Sequence, residues 1–349
     1  VAGHDRPAPP GAHDLSAGGD VMDRVRGCAR DALAAYGCHP EASLELVNVS
    51  ENATFLVRDP GAGPSVLRVH RLGYHTELEI ASELAWMDAL RVEAGVHTPR
   101  VLSAADGRRI IRVPERRGTE RHCVRFEFLP GAEPGSEPAG PAASMPSHFA
   151  ALGEITARMH RHAREWSRPG WFTRFHWDHA AAFGRQARWG RWQDGIGVGP
   201  SERQILARLD DVLQTRLTAF GAGPERYGLV HADTRLANLL VHDGAVSVID
   251  FDDSGFSWYL YDLGTSVSFF EHAPEVPALV DSWLEGYRQA GRLSAEDQAE
   301  IWTFIMFRRL LLVAWIGSHQ AVDIAAELGA GYTQGSCDLA ESYLSRQRS

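Results

Sequence analysis

The chain has 349 residues, 44% of them hydrophobic and 23% charged, a globular composition long enough for about two domains or subdomains. Its 35 basic residues are all arginine, because the sequence contains no lysine, and this excludes a Schiff-base lysine, a Walker-A lysine and a Ser–Lys dyad. A formal net charge of −10 argues against nucleic acid and against an anionic membrane as partners, since both require a surplus of cations.

Residues 1–19 are rich in Ala, Gly, Pro, His and Asp, lack the charged and apolar regions of a signal peptide, and read as a disordered tail. From Asp20 to Tyr36, Val21, Val25, Cys28, Ala32 and Leu33 recur at helical spacing, and Gly37 follows as a stop signal. Five short runs rich in Val, Ile, Leu and Phe come next: Leu44–Val49, Thr54–Val57, Ser65–Val69, Arg109–Val113 and Cys123–Leu129. Gly, Pro and Asp turns separate them, and one helix from about Thr76 to Val92 interrupts them, which predicts an antiparallel sheet with a single long helix.

A stretch dense in Pro, Gly, Ala and Ser, Pro130–Pro146, reads as a linker. Beyond it the chain is mostly helical, with Phe149, Leu152, Thr156, Met159, Ala163 and Trp166 on one face and further helices over Pro277–Gln289, Ala295–Ile316 and Asp323–Leu328. The most apolar stretch, Ile301–Ile316, carries Arg308 and Arg309 at its centre and therefore reads as a buried helix rather than a membrane span. The fold class is α+β and bilobal, with an N-terminal lobe over residues 20–130 and a C-terminal lobe over 131–349. Four cysteines, Cys28, Cys38, Cys123 and Cys337, lie far apart without a C-x-x-C, which favours a reducing, cytoplasmic setting over a disulfide framework or zinc site.

One segment of the helical lobe breaks its pattern, Tyr227 to Asp253. There Asp243-Gly244 between two apolar runs predicts a hairpin with a two-residue type I′ turn. That register sets Asn238 opposite Ile249 and Asp250 opposite Ala237, so Asn238 and Asp250 meet at the open end, where opposed Cβ atoms lie roughly 4.5–5.5 Å apart. An amide oxygen and a carboxylate at that spacing can share a hard cation. Asp233 lies in the loop just before, aimed at the same edge. A carboxylate base beside such a pair is the working set of a phosphoryl transferase, which positions nucleotide and acceptor while Mg²⁺ neutralises charge.

The motifs His231-Ala-Asp233-Thr-Arg-Leu-Ala-Asn238 and Ile249-Asp250-Phe251-Asp252, followed by Tyr261-Asp262-Leu263, resemble those of the protein-kinase-like small-molecule phosphotransferases: the aminoglycoside phosphotransferases, choline kinases and type II homoserine kinases. The resemblance spans about Asp20 to Leu344. It implies a kinase-like fold, ATP with GTP as the alternative nucleotide, Mg²⁺ held by Asn238 and Asp250, and Asp233 as catalytic base. It also requires a cation on the third strand held by a carboxylate of the next helix. Arg68 supplies the cation, and Glu83, on the apolar face with Ile80, Met87 and Leu90, supplies the carboxylate, with Glu79 as fallback.

Where protein kinases have a glycine-rich loop, this chain has Val47 to Phe55 without G-x-G-x-x-G, and the resemblance places Ser50 and Asn52 over the nucleotide phosphates. It makes Phe126 to Gly131 the hinge, whose main chain at Glu127 and Leu129 would bind adenine. Asp262 reads as a helix N-cap that steadies the catalytic loop, and His231 as a brace rather than a base; Asp252 is open between metal and loop support. His176 and His179 lack a metal-ligand context. Trp171, Trp177, Trp189 and Trp192 either wall the acceptor site or pack a lid.

The expected partner is a small molecule with a hydroxyl acceptor, taken up by a monomer or homodimer. The Trp-rich stretch and the long C-terminal helices incline the reading to an antibiotic or related natural product. A primary metabolite such as homoserine, choline or another amino alcohol is the alternative, as is a protein serine or threonine. Outside this class stand a phosphatase built on Val248-Ile-Asp250-Phe-Asp252, whose usual lysine is impossible here, and a non-catalytic binding module, weakened by the presence of Asp233, Asn238 and Asp250.

Overall fold

Helix α1 (Gly18–Ala35) ends as its sequence requires, with Gly37 in the left-handed conformation at φ 73°. The computed structural model describes residues 18–49, 52–115, 118–136, 141–320 and 322–347, so the tail expected over 1–19 lies outside the described residues except for its last two, which open α1. Strands β1 (Ser43–Val49), β2 (Ala53–Asp59) and β3 (Gly63–Val69) follow, then helix α2 (Glu77–Glu93), β4 (Val101–Leu102), β5 (Ile110–Pro114) and β6 (Glu120–Glu127). The six strands form one antiparallel sheet in the order β1-β2-β3-β6-β4, and the edge of β6 away from β3 is shared between β5 and β4. Of these six strands only the two-residue β4 is absent from the sequence reading; a run that short has no period to detect.

One face of the sheet buries Phe55, Val57, Leu67 and Ile111 with Val25, Ala29 and Leu33 of α1, and such side chains contribute about 1.5–3 kcal/mol each. Tyr36 locks that helix through its hydroxyl, whose one proton is shared between the carbonyls of Arg109 (2.8 Å) and Cys123 (3.0 Å). Across the sheet, α2 starts from a Thr76–Glu79 capping box and buries Ile80, Leu84, Met87 and Leu90 in the core that continues into the C-terminal part.

After Glu127 the chain is mainly helical: α3 (Pro141–Glu165), α4 (His179–Phe183) and α5 (Pro200–Phe220) precede β7 (Tyr227–Val230), the hairpin β8 (Leu239–His242) and β9 (Ala245–Val248), and β10 (Gly255–Trp258). Then come α6 (Leu260–Ser266), α7 (Val276–Ala290), α8 (Ala295–Ala299), α9 (Ile301–Ser318) and α10 (Asp323–Arg346). The linker expected up to Pro146 is shorter, because α3 begins at Pro141. The helix expected over Ala295–Ile316 divides at Glu300, whose carboxylate takes hydrogen bonds from Arg216 (2.9 Å) and Thr303 (2.6 Å). The last helix runs on past Leu328 through a kink at Gly329 (φ 46°).

Helices α3 and α7 cross at backbone contact: a Cβ on Gly286 would lie 1.7 Å from the Ala150 carbonyl oxygen, and one on Gly153 would lie 2.0 Å from that of Trp283. Helix α9 is long and apolar enough by composition to cross a membrane, yet 83% of it is buried in the fold, with Arg308 and Arg309 among its buried residues. All four cysteines are free thiols.

Candidate active site

The hairpin register is the one that the Asp243-Gly244 turn dictates. Leu239 pairs with Val248 and His242 with Ala245, the turn residues sit at φ 47° and 78°, and the Ile249 amide donates to the Asn238 carbonyl at 2.9 Å. Asn238 closes a short 3₁₀ turn, Leu236–Asn238, and Asp250 follows β9 at φ 61°.

The loop between β7 and this turn is heavily braced. Ala232 adopts φ 68°, a conformation sparsely populated by residues with a Cβ, which persists only when the surroundings over-determine it. Asp262 supplies much of that constraint by accepting from the amides of His231 (3.2 Å) and Ala232 (2.7 Å), with His160 at 3.0 Å behind it. Its expected N-cap role is corrected: Tyr259 holds the N-cap position of α6, and Asp262 lies in the first turn, facing the loop. The His231 ring is fully buried; Nδ1 accepts from the Asp233 amide (3.2 Å) and Nε2 lies 3.1 Å from the Ile249 carbonyl. Burial lowers its pKa, so the ring is neutral and ties the loop to the hairpin.

Both oxygens of Asp233 are engaged. Oδ2 accepts from Asn238 Nδ2 (2.6 Å) and Arg235 Nε (3.2 Å), and Oδ1 accepts from Arg308 Nη2 (2.6 Å). Burial disfavours its charge, but Arg235 and Arg308 outweigh burial and hold the carboxyl below its ordinary range. Sequence motifs do not reveal Arg308, which is 75 residues away on α9.

Arg68 of β3 and Glu83 of α2 meet as a buried ion pair, with Arg68 Nη2 at 2.7 and 2.8 Å from the two carboxylate oxygens. Arg68 Nη1 reaches Asp250 (3.4 Å) and Asp252 (3.8 Å). The fallback partner Glu79 is occupied elsewhere, its carboxylate accepting from Thr76 in the capping box. Asp250 keeps 42% of its side chain exposed to the cleft. Withdrawal from bulk water there, reinforced by the charges of Asp252, Asp233 and Glu83 against the pull of Arg68, pushes its pKa up to about 7. That surplus of negative charge is what a divalent cation relieves. Among the described residues no group of three or more His, Cys, Asp or Glu is arranged to hold a metal, and an Asp carboxylate and an Asn amide oxygen are donor types suited to a hard cation.

Asp252 turns away from this position. It is buried against His75 (3.2 Å), His70 (3.6 Å) and Arg68, and those neighbours hold its carboxyl well below the usual range despite burial. It ties the segment after β3 to the segment after β9.

A cavity of about 430 Å³ runs between sheet and hairpin, lined by Leu56, Arg68, Phe126, Leu129, Asn238 and Asp250, with Glu127 also at its wall. The Glu127 carboxylate itself grips Arg100 (2.6 Å). Gly131 makes the close approach to the hairpin possible, since a Cβ there would sit 3.0 Å from Leu240 Cβ and from the Val241 carbonyl. Ser50 lies outside the described residues. Asn52 is buried outside this lining, its Oδ1 accepting from the Arg71 amide (3.1 Å), which makes it a brace for the loop rather than a group facing the cavity.

A second cavity of about 410 Å³ adjoins the first at Asn48 and Ala237 and opens on Asp233. Its walls include Trp189, Trp315, Asp253, Asp323 and Arg308. The Trp-rich stretch thus divides its tasks: Trp189 lines this cavity, Trp177 and Trp192 pack in the core, and Trp171 is exposed. His176 and His179 pair with Tyr227 (2.7 Å) and Asp210 (2.7 Å), not with a shared ligand position.

Residues 44–302 match the model of the phosphotransferase enzyme family. The fold superposes on a microcompartment-associated aminopropanol kinase with a TM-score of 0.83 and 47% identity, covering 92% of this chain and 98% of that one. The amicoumacin kinase hAmiN, solved in complex with AMP-PNP, Ca²⁺ and Ami, superposes with a TM-score of 0.74 at 22% identity, covering 91% of this chain and 95% of that one. The amicoumacin kinase of Bacillus subtilis (strain 168) is 22% identical over 305 residues, 84% of each chain.

Proposed function

The chain belongs to the phosphotransferase enzyme family, and from that premise we propose that it transfers the γ-phosphate of ATP to the hydroxyl of a small amino alcohol. It is a small-molecule kinase. The observation that carries the choice of acceptor is the likeness to the aminopropanol kinase over nearly the whole chain. In the cavity beside Asp233 the Trp315 ring and the Asp253 and Asp323 carboxylates support it as partners for an ammonium group, while the Trp189 ring faces the Arg308 guanidinium at 5.3 Å and Arg235 lines the same wall.

In this reading the nucleotide occupies the cavity between sheet and hairpin, its base against the main chain at Glu127 and Leu129 and its phosphates gripped by Arg68, which Glu83 holds in place. Ser50 is proposed to lie over the phosphates. Asp250 and Asn238 would hold Mg²⁺, which would supply neutralisation of charge on the transferred group. Asp233 stays ionised beside Arg235 and Arg308, so its first task is to orient the acceptor hydroxyl. It takes the hydroxyl proton as the acceptor oxygen bonds to the γ-phosphorus and the bond from that phosphorus to the β,γ-bridging oxygen breaks, with ADP as the leaving group.

A natural-product acceptor, the sequence-based inclination, is the second reading, and the cavity volume of about 410 Å³ is what favours it. A panel of 1-aminopropan-2-ol, ethanolamine, choline, homoserine, aminoglycosides and nucleoside antibiotics in an ADP-coupled assay separates the two. The small amino alcohols should give the highest kcat/KM. Propan-2-ol should be poorer by about tenfold or more, since a desolvated cation–π contact alone contributes about 2 kcal/mol. Turnover confined to a bulky antibiotic would contradict the amino-alcohol reading.

The absence of lysine gives a separate expectation. Arg68→Lys restores the residue most kinases use, but an ammonium cannot reach Glu83 and a phosphate in one plane as a guanidinium does. The KM for ATP should rise about 10- to 100-fold, the scale of one or two charge-assisted hydrogen bonds. An unchanged KM would show that the missing lysine reflects composition alone.

A further inference from the structure

We propose that Arg308, a residue of α9 that belongs to none of the catalytic-loop motifs, is the positioning residue that holds Asp233 in the orientation from which it receives the acceptor hydroxyl; this rests on Asp233 being the base.

The guanidinium is buried, and its donors reach the catalytic loop at two residues and the α6 region at two more. Nη2 donates to Asp233 Oδ1 (2.6 Å), Nη1 to Tyr261 Oη (3.1 Å) and to the Ala232 carbonyl (3.5 Å), and Nε to Ser268 Oγ (3.0 Å). The fork therefore fixes the base and the strained residue before it together. The two Asp233 oxygens have different partners. Oδ2 is shared by Asn238, which lines the nucleotide cavity, and Arg235, which lines the acceptor cavity, whereas Oδ1 is bound by Arg308, also in the acceptor cavity wall. Without Arg308 both remaining partners bind Oδ2, and Oδ1 is left free to swing about that anchor.

Arg309 supplies an internal control. It is equally buried on the same helix but turns the other way, to Glu271 (2.5 Å), the Tyr332 carbonyl (3.1 Å) and Ser336 (2.7 Å), with no bond to the loop. An arginine needed only to fasten α9 would look like Arg309.

A double-substitution cycle tests the assignment. Arg308→Met should lower kcat by about 100-fold, the cost of a misplaced reacting group, while KM for ATP stays unchanged. In an Asp233→Asn background the same substitution should change kcat by less than about twofold, because groups acting as one unit are not additive. Arg309→Met should lower the melting temperature without a comparable loss of kcat. If Arg308→Met fails to fold, Arg308→Lys, which keeps the charge and stem but not the fork, carries the same cycle. Losses that multiply across the cycle, or an Arg308 variant with wild-type kcat beside an inactive Asp233→Asn, would overturn the Arg308 assignment alone. An Asp233→Asn enzyme as fast as wild type would overturn the base on which it rests.

Discussion

Asp233→Asn should lower kcat by about 100- to 10,000-fold, the range that a positioned proton acceptor contributes. Geometry predicts more than a lost charge. Asp233 accepts from Arg308 on one oxygen and from Asn238 and Arg235 on the other. An asparagine offers one carbonyl oxygen and one NH₂ group, so either orientation sets a donor against a donor. The NH₂ group also cannot accept the acceptor hydroxyl. A buried donor left without a partner costs about 1–3 kcal/mol, so the variant should melt several degrees lower. AMP-PNP affinity should be nearly unchanged, since in the proposed reading the nucleotide is held by Arg68 and the hairpin. Titration calorimetry with steady-state kinetics checks both halves; a variant that keeps wild-type kcat removes Asp233 from the chemistry.

Asp250→Asn should strike binding instead. Asparagine is the better substitute than alanine here, because Asp250 sits at φ 61°, where asparagine is tolerated. Outer partners of a metal are worth about 10- to 100-fold in affinity, so removal of the carboxylate proposed as its ligand should cost more than about 100-fold for the metal–nucleotide complex. Metal-free nucleotide should bind as well or better, since one negative charge near the phosphates is gone.

The pH dependence of stability has a definite sign. The pKa of Asp250 is raised to about 7 in the fold. Its contribution to stability is therefore present in acid and is lost as pH rises from the unfolded carboxylate range, about 4, through about 7. The metal-free Asp250→Asn protein should thus gain more melting temperature over wild type at pH 8 than at pH 5. Equal shifts at the two pH values would contradict the crowded-carboxylate account.

What was legible in the sequence follows from how local each feature is. The Asp243-Gly244 turn sets its hairpin register through two residues with positive φ, so the position of Asn238 beside the start of the Asp250 loop could be read directly. The Arg68–Glu83 pair was legible because a carboxylate on the apolar face of α2 needs a cation, and β3 offers one. Helix α5 was missed although Leu206, Leu209, Leu213 and Leu217 carry its period, because it follows the Trp-rich stretch without a side-chain N-cap to mark its start. The pairing of Asp252 with His70 and His75 and that of Asp233 with Arg308 have no local signal at all. They join elements distant in sequence, and only the packing of the whole chain brings them together.

The measurement that tests the central claim most directly is the fate of the γ-phosphate. The protein is incubated with Mg-ATP and 1-aminopropan-2-ol, and products are resolved by mass spectrometry and phosphorus NMR. One phosphomonoester of the amino alcohol should form for each ADP, with neither appearing when the acceptor is omitted or Asp233 is replaced by asparagine. ADP accompanied by inorganic phosphate, at a rate indifferent to the acceptor, would contradict the account.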